Sequence, residues 1–212
     1  MKNKLGNLCM SLGAVLMVAA LSLCFINQWE NDQAGNQAEE VVNKLEQRIQ
    51  TPQTHPPESS GTDGTVPEPS YPDPFDPVMT EVEIDGYLYI GTVDIPSLDL
   101  SLPVMSEWDY SRLKIAPCRY TGSTKTDDLV IAAHNYTRHF GQLKNLSEGD
   151  SVFFTDMDGV VSEYAVAAIE VLPPTAVEDM NAGDYDLTLF TCTYGGASRV
   201  TVRCDRVENE RK

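Results

Sequence analysis

A cysteine and an arginine near the end of the chain have the types and spacing of a nucleophile and an oxyanion donor. A thiol that attacks a carbonyl needs a base nearby and a donor for the oxyanion. Cys192 ends an apolar run that begins at Leu187, and residues 193–198 are rich in turn formers. If a second strand from Arg199 pairs antiparallel with the first, Cys192 and Arg199 face each other with Cβ atoms about 5 Å apart. Arg203, the rival cation, would lie about 14 Å further along.

His134 is the predicted base, because it directly follows the apolar run 129–133, where a buried strand emerges into a loop. The other histidines are weaker candidates: His55 lies in a proline-rich segment and His139 lies inside a loop. The residue types alone leave a non-catalytic interpretation open. A cysteine at a strand end is often a buried small hydrophobe, and a single histidine is often a surface or core residue.

Charge and cysteine pattern exclude other functions. The 212 residues include 32 acidic and 15 basic side chains, for a net charge of −17, with no basic run. Proteins that bind nucleic acids neutralise phosphates with Lys and Arg, so a nucleic-acid partner is excluded. The five cysteines contain no C-x-x-C pair, which argues against a zinc site. Cys118 and Cys204 could form a disulfide, but Cys204 alternates with valines as a buried free thiol would.

The N-terminal segment is predicted to span a membrane. Residues 5–26 carry no charged side chain, and a helix of that length is about 33 Å long, enough to cross a hydrocarbon core of about 30 Å. Lys2 and Lys4 precede it, which favours a cytoplasmic N-terminus and an extracellular remainder. A cleaved signal peptide is the alternative, but the run is longer than the usual core of about 7 to 15 residues. We expect residues 1–28 to form a single-pass anchor.

Residues 29–80 are predicted to connect this anchor to a folded domain. Residues 37–50 have apolar side chains at helical spacing and are interpreted as a short stalk helix with little to bury. Prolines concentrate between positions 52 and 77, a composition typical of an extended spacer that would lift the domain off the membrane. The domain is predicted over residues 81–212, a usual size for one hydrophobic core.

The predicted domain is mainly β. Short apolar or alternating runs recur with turn residues between them, which favours a barrel or sandwich over an alternating α/β sheet. Residues 108–113 and 140–146 have short helical patterns. The predicted strands cover residues 87–95, 98–104, 129–133, 152–154, 164–172, 187–191 and 200–207.

One string of residues carries a resemblance to a known family. The sequence Thr-Leu-Phe-Thr-Cys at 188–192, followed by Arg199, resembles the T-L-x-T-C…R signature of the sortases, the membrane-anchored cysteine transpeptidases of Gram-positive bacteria. His134, at the end of an earlier apolar strand, occupies the place of the family's histidine. Two departures leave the subclass open: Ala133 stands where many members have glycine, and the loop from Cys192 to Arg199 is short.

The resemblance extends over the whole predicted domain. Further segments similar to the family's opening strand, its histidine segment and the turn after it are residues 89–96, residues 132–134 with Phe140 and Leu143, and residues 149–150. The resemblance implies an eight-stranded β-barrel with short helices, preceded by the transmembrane helix and the stalk.

The implied activity is transpeptidation. Cys192 would attack the threonine carbonyl of an LPxTG-like sorting signal at the C-terminus of a secreted protein and leave a thioacyl enzyme. A peptidoglycan precursor or a pilin lysine would supply the acceptor amine. His134 would protonate the leaving amine and later deprotonate the acceptor, while Arg199 would hold the oxyanion or the substrate backbone.

The resemblance raises two further points, a calcium site and a lid. No cofactor is implied, although some sortases bind calcium near an acidic loop, which here contains Glu178, Asp179, Asp184 and Asp186. The Asp-Pro-Phe triplet at 73–75 resembles the lid that covers the active site of pilus-building sortases.

Two other functions stay open. An exported cysteine peptidase would use the same thiol to hydrolyse peptides, and a non-catalytic wall-binding module on a stalk would not use it at all. The residues around Cys192 do not resemble the local patterns of papain-like or caspase-like peptidases.

Overall fold

Nine strands and two helices make up the part of the chain that the computed structural model describes, which is residues 2–50, 78–181 and 184–208. The helices are α1 (Lys2–Gln50) and α2 (Val177–Met180). The strands are β1 (Val82–Ile84), β2 (Tyr87–Ile95), β3 (Leu100–Met105), β4 (Cys118–Thr121), β5 (Leu129–Ala133), β6 (Ser151–Asp156), β7 (Val161–Leu172), β8 (Leu187–Cys192) and β9 (Arg199–Arg206). Short 3-10 turns span Pro96–Leu98, Arg112–Lys114, Phe140–Asn145 and Tyr194–Gly196.

Eight of the strands close into a barrel. Their order around it is β2-β3-β4-β5-β8-β9-β7-β6, and β6 pairs back onto β2 at residues 91–94. The β3–β4 and β5–β8 pairs are parallel, and the remaining pairs are antiparallel. β1 extends β2 as a short hairpin outside the barrel. The predicted mainly β fold with an eight-stranded barrel is confirmed.

Closure of the barrel requires a glycine in β2. At Gly91 the pairing of β2 with β3 shifts register while β2 also pairs with β6. Its φ is +155°, and a Cβ atom there would lie 2.2 Å from the carbonyl oxygen of Thr155. Because no side chain fits against that backbone, only glycine lets β2 bend and contact both neighbours.

β5 is held on both of its faces. Along β6 every second residue is buried, as expected for a strand with one face in the core, but all five residues of β5 are buried. Val130 and Ala132 on its outer face pack with Met180 and Phe190. The strand that leads into His134 is therefore fixed in position by packing from inside and outside the barrel.

Two strands have no counterpart in the sequence prediction. β1 is three residues long, and β4 pairs with β3 only at Met105 and Cys118. β4 also contains the half-exposed Arg119 and Tyr120, so it lacks the apolar run that marks the other strands. The two predicted helical segments are 3-10 turns, Arg112–Lys114 and Phe140–Asn145, because both are too short to sustain an α-helix.

The two halves of α1 have different surroundings. Between residues 10 and 29 its large apolar side chains are exposed, and this half is long and apolar enough to cross a membrane. From Asn31 onward one face packs on the barrel. The buried residues of that face are Ala34, Ala38, Val41, Val42 and Leu45. The prediction of a short stalk helix with little to bury, over residues 37–50, is wrong in extent and in burial.

Apolar packing holds α1 in place. Leu45 is fully buried and packs in a cluster with Tyr89, Met105 and Met157 of the barrel. Full burial of a leucine side chain contributes about 1.5–3 kcal/mol. The exposed ion pair of Lys44 with Asp85, at 2.8 Å, is screened by water and contributes little. The helix is thus an integral part of the folded domain.

The proline-rich segment follows α1 directly. Residues 51–77, with the triplet at 73–75 that resembles a lid, lie outside the described residues. Beyond that segment the chain contacts the barrel at once, because the Lys125 ammonium donates to the Val78 carbonyl at 2.9 Å. The predicted boundaries at residues 28 and 80 remain predictions.

His139 is buried between α1 and the barrel. Its side chain has no exposed surface and meets the Tyr136 ring edge-on, with 5.5 Å between centroids. The Ala34 carbonyl of α1 approaches the ring, yet neither ring nitrogen has a partner in hydrogen-bonding geometry among the described residues. Burial, assisted by the nearby charges of His134 and Arg138, lowers the pKa of His139 to about 4.

We expect His139→Phe to remove part of the acid sensitivity of the fold. In the folded chain the His139 ring stays neutral until the pH nears 4, whereas in the unfolded chain it is protonated below its ordinary pKa of about 6.5. The contribution of this group to stability is therefore complete above pH 6.5 and is lost as the pH falls toward 4.

Thermal unfolding of the detergent-solubilised chain at about pH 7 and about pH 5 measures this effect. The drop in Tm between the two pH values should be larger for the natural chain than for His139→Phe. An equal drop in both proteins would show that His139 does not titrate with unfolding.

Candidate active site

Cys192 and Arg199 face each other at the end of a hairpin. β8 and β9 pair antiparallel, and Cys192 is the register partner of Arg199. The connecting turn is closed by Thr193 and Ser198, whose backbone and side-chain groups exchange hydrogen bonds of 2.9–3.2 Å. Gly195 has a φ of +81°, which this turn needs. The predicted hairpin pairing of Cys192 with Arg199 is confirmed.

The β5–β8 pair brings His134 to the same edge of the barrel. The two strands are parallel and in register, with Ala133 opposite Thr191. The Thr191 hydroxyl donates to the Ala133 carbonyl at 2.9 Å. Neighbouring strands lie about 4.8 Å apart, so the next residue on each, His134 and Cys192, leave the sheet side by side. His134, Cys192 and Arg199 therefore come from three consecutive strands of the barrel.

His134 has the environment of a neutral base. Its ring is half-buried and stacks on Tyr136, with 4.1 Å between centroids and 10° between planes. Burial lowers the pKa of His134, and the charge of Lys114 acts in the same direction, while Asn135 and Glu30 oppose them. A lowered pKa keeps the imidazole unprotonated at neutral pH, which is the form that accepts a proton.

The structure separates the two histidines of this loop. His139 is fully buried against α1, whereas His134 is partly exposed. A buried ring cannot reach a substrate, so of this pair only His134 is placed to exchange protons with one.

The structure also separates the two candidate cations. Arg199 is half-exposed, and its Nη1 donates to the Ser198 carbonyl at 3.2 Å. Arg203 is 3% exposed and donates to the Met180 carbonyl and the Thr188 hydroxyl, both at 3.1 Å. Arg203 also bonds the Asp179 carbonyl. Arg203 thus fixes α2 against β8, and Arg199 is the cation at the edge of the barrel.

An aromatic cavity of about 200 Å³ opens beside Cys192 and Arg199. On one side Tyr120 lies between Trp108 and Phe190, with 5.3 Å between centroids in each contact. Two residues of α2, Val177 and Met180, also line the cavity, and Arg203 fixes this helix through the Met180 carbonyl. The full lining is Trp108, Tyr110, Leu113, Tyr120, Ala132, Ala133, Pro174, Val177, Met180, Phe190, Cys192 and Arg199.

The cavity walls are functional candidates that the sequence analysis missed. Trp108 lies in a stretch with a helical pattern, and Tyr120 lies in the unpredicted strand β4. The available signal was the aromatic type of both residues, since aromatic side chains dominate ligand cavities. Nothing in the sequence, however, indicated that the two stretches meet.

The acidic loop forms no convergent ligand set in the described part of the chain. No group of three or more His, Cys, Asp or Glu side chains there could hold a metal ion. Asp186 instead accepts a hydrogen bond from the Arg206 backbone at 2.6 Å. The expectation of a possible calcium site near Glu178 and Asp179 stays untested.

The other barrel cysteines differ from Cys192 in burial. Cys118 and Cys204 are fully buried free thiols, as predicted for Cys204, and Cys192 is exposed. Burial raises the pKa of both buried thiols to about 12. Thiolate chemistry at neutral pH is therefore confined, within the barrel, to Cys192.

Known proteins that are similar to this chain in sequence or in structure are sortases. The sequence model of the sortase domain matches residues 93–207. Sortase A of Bacillus anthracis is 27% identical over 122 residues, which cover 54% of this chain and 57% of that protein. This chain therefore spans little more than half of that relative's length.

Solved structures share the fold. Sortase A from Corynebacterium diphtheriae superposes with a TM-score of 0.54 and 25% identity, covering 59% of this chain and 64% of that one. Sortase C-1 from Actinomyces oris gives a TM-score of 0.51 and 26% identity over 56% of this chain and 74% of that one.

Clostridium perfringens sortase C, solved with the C-terminal cell wall sorting motif, gives a TM-score of 0.50 and 25% identity over 57% of this chain and 71% of that one. The segment matched by the sortase-domain model is more than half of the chain and contains His134, Cys192 and Arg199. The chain belongs to the sortase family.

Proposed function

We propose that the chain is a cell-surface cysteine transpeptidase that cleaves a sorting signal and joins the released acyl group to an amine. The observation that carries this proposal is the convergence of an exposed thiol, a neutral imidazole and a half-exposed guanidinium on three adjacent strand ends. The Clostridium perfringens relative, solved with a sorting motif, supports the substrate class. The predicted signal is LPxTG-like.

The first half of the reaction forms a thioester. Cys192 Sγ attacks the scissile carbonyl while its proton is held on His134, and the carbonyl oxygen becomes an oxyanion that Arg199 stabilises with its N–H groups. The C–N bond then breaks. His134 gives its proton to the leaving amine, and the acyl group remains on Sγ.

The second half transfers the acyl group. An incoming amine attacks the thioester carbonyl and loses a proton to His134, which restores the imidazolium. The C–S bond breaks as the new amide forms, and Cys192 leaves as a thiolate. The acceptor is proposed to be the amine of a peptidoglycan precursor or of a pilin lysine.

The aromatic cavity is the proposed binding site for apolar residues of the signal. It is walled by aromatic and aliphatic side chains and ends at Cys192 and Arg199, so a peptide that fills it presents its next carbonyl to the thiol. The proposed location of this site is the extracellular surface, with α1 as a single-pass anchor and the N-terminus in the cytoplasm; the length and apolar character of α1 support the anchor.

Cys192→Ala should abolish turnover and leave the fold intact, because the exposed thiol supplies the covalent intermediate and little packing. Mass spectrometry of the natural chain with an LPxTG peptide should detect an acyl adduct on Cys192. Addition of a nucleophilic amine should then yield an amide product. The matched control is Cys24→Ala, which changes an exposed cysteine of α1 and should keep full activity.

Other outcomes separate the alternatives. If the peptide is hydrolysed and an added amine yields no amide product, the chain is a peptidase. Peptide binding that survives Cys192→Ala, with no adduct in the natural chain, would identify a binding module.

His134→Ala should lower kcat by about 10²–10⁴-fold, the usual effect of removing a general acid or base. His139→Phe should keep nearly full activity at neutral pH, because that ring is buried away from the substrate. Steady-state kinetics at equal folded concentrations compares the two variants. Similar losses in both would show that the histidine loop acts as a unit and that His134 has no separate role.

Arg199→Lys should lose about 10²–10³-fold in kcat, because an ammonium cannot replace the planar donor fork at an oxyanion. Its Tm should stay unchanged, since the Arg199 side chain is half-exposed. Arg203→Lys is the matched control, and it should lower the Tm by loosening α2. Full activity of Arg199→Lys would mean that charge alone suffices at this position.

A further inference from the structure

α1 joins the apolar segment to the active-site edge without a break. The helix continues from the apolar segment, which ends at Ile26, into the half that packs on the barrel. A few residues after Ile26 the helix contacts the loop that follows His134. The Asn31 side chain accepts a hydrogen bond from the Arg138 backbone at 3.4 Å. Glu30 acts electrostatically on His134 and Tyr136.

The rise of an α-helix gives the distance of these contacts from the end of the apolar segment, measured along the helix axis. At 1.5 Å per residue, Glu30 lies about 6 Å beyond Ile26 along the axis, and Asn36 lies about 15 Å beyond it. The Arg138 guanidinium donates to Asn36 at 2.7 Å. The histidine loop is therefore attached to α1 between about 6 and 15 Å past the end of the apolar segment, which is at or just outside the lipid headgroups.

The packing of α1 on the barrel keeps this distance fixed. Ala34, Ala38 and Leu45 on the packed face are each at most 3% exposed, so moving the helix away would expose apolar surface along its length. Arg138 lies across the helix at Gly35, where a Cβ atom would meet its side chain. The proline-rich segment begins only after α1 has docked, so its length does not separate the barrel from the membrane.

We propose that α1, docked on the barrel, sets the height of the active site above the membrane, so that the register of this helix, and not the length of the proline-rich segment, fixes the shortest spacer that a membrane-anchored substrate can have. This inference rests on the proposed function and on α1 as the anchor. An extended peptide covers about 3.3 Å per residue. A bond about 6–15 Å above the apolar layer is thus reached by about two to five residues.

The test changes the helix and the substrate together. A helical insertion of seven residues between Gln28 and Trp29 raises the barrel by about 10 Å and returns it to nearly the same rotation. It leaves the packed face of α1 unchanged, because that face begins after the insertion. The full chain in liposomes is then given two membrane-anchored substrates, with spacers of about 3 and about 12 residues between scissile bond and anchor.

The natural chain should process both substrates. The chain with the helix insertion should process the short-spacer substrate at least about tenfold more slowly and the long-spacer substrate at the natural rate. A spacer that is too short to reach the active site leaves the scissile bond with almost no effective concentration there. The matched control inserts the same residues after Pro67, in the proline-rich segment, and should change neither rate. If the insertion after Pro67 slows processing of the short-spacer substrate and the helix insertion does not, the proline-rich segment sets the height and the proposal is wrong.

A soluble LPxTG peptide distinguishes this failure from failure of the proposed function. All three chains should process it at the same rate, and no processing by any of them would reject the transpeptidase instead.

A depth measurement tests the height without activity. In chains with Cys9, Cys24 and Cys192 replaced by Ala, a fluorophore on Thr137→Cys reports the exposed histidine loop. A fluorophore on Val160→Cys reports the region beside Ile49, about 35 Å along α1 from Ile26. Lipids with quenchers on their headgroups should quench the fluorophore at position 137 strongly and the fluorophore at position 160 weakly. The helix insertion should reduce the quenching at position 137. Equal quenching at both sites would overturn the proposal.

Discussion

The parallel pairing of β5 with β8 is the constraint on which the site depends. These strands are far apart in the sequence, yet their ends lie side by side because Ala133 is the register partner of Thr191. The Thr191 hydroxyl also donates a hydrogen bond to the Ala133 carbonyl. A slip by one residue would turn the following side chains to opposite faces of the sheet. Both strands are buried along almost their whole length, which makes such a slip costly. Core packing therefore fixes the positions of His134 and Cys192 at the ends of adjacent strands.

The parts of the site that depend on local order were predictable. The apolar run before Cys192, the turn formers after it and the position of Arg199 define a hairpin within one short stretch. His134 could be selected because it ends an apolar strand. The number of strands came from the family resemblance, since the sequence pattern alone did not distinguish a barrel from a sandwich.

The parts that depend on distant contacts were not predictable. The role of Arg203 in fixing α2 requires knowing that the Met180 carbonyl lies beside β9. The docking of α1 was missed because Ala34 and Ala38 give a weak hydrophobic signal, although their small size lets the helix approach the barrel. The partners of that helix face, such as Tyr89 and Met105, are more than 40 positions away in the sequence.

The burial of Cys118 and Cys204 has a consequence for chemical damage by oxidants. Oxidants and electrophiles act on thiolates that they can reach, and both buried thiols are protonated and enclosed. Of the barrel cysteines such reagents reach only Cys192, so oxidation changes the candidate active site before it disturbs the core. The same selectivity makes this cysteine a target for covalent probes that leave the buried thiols of the core unmodified.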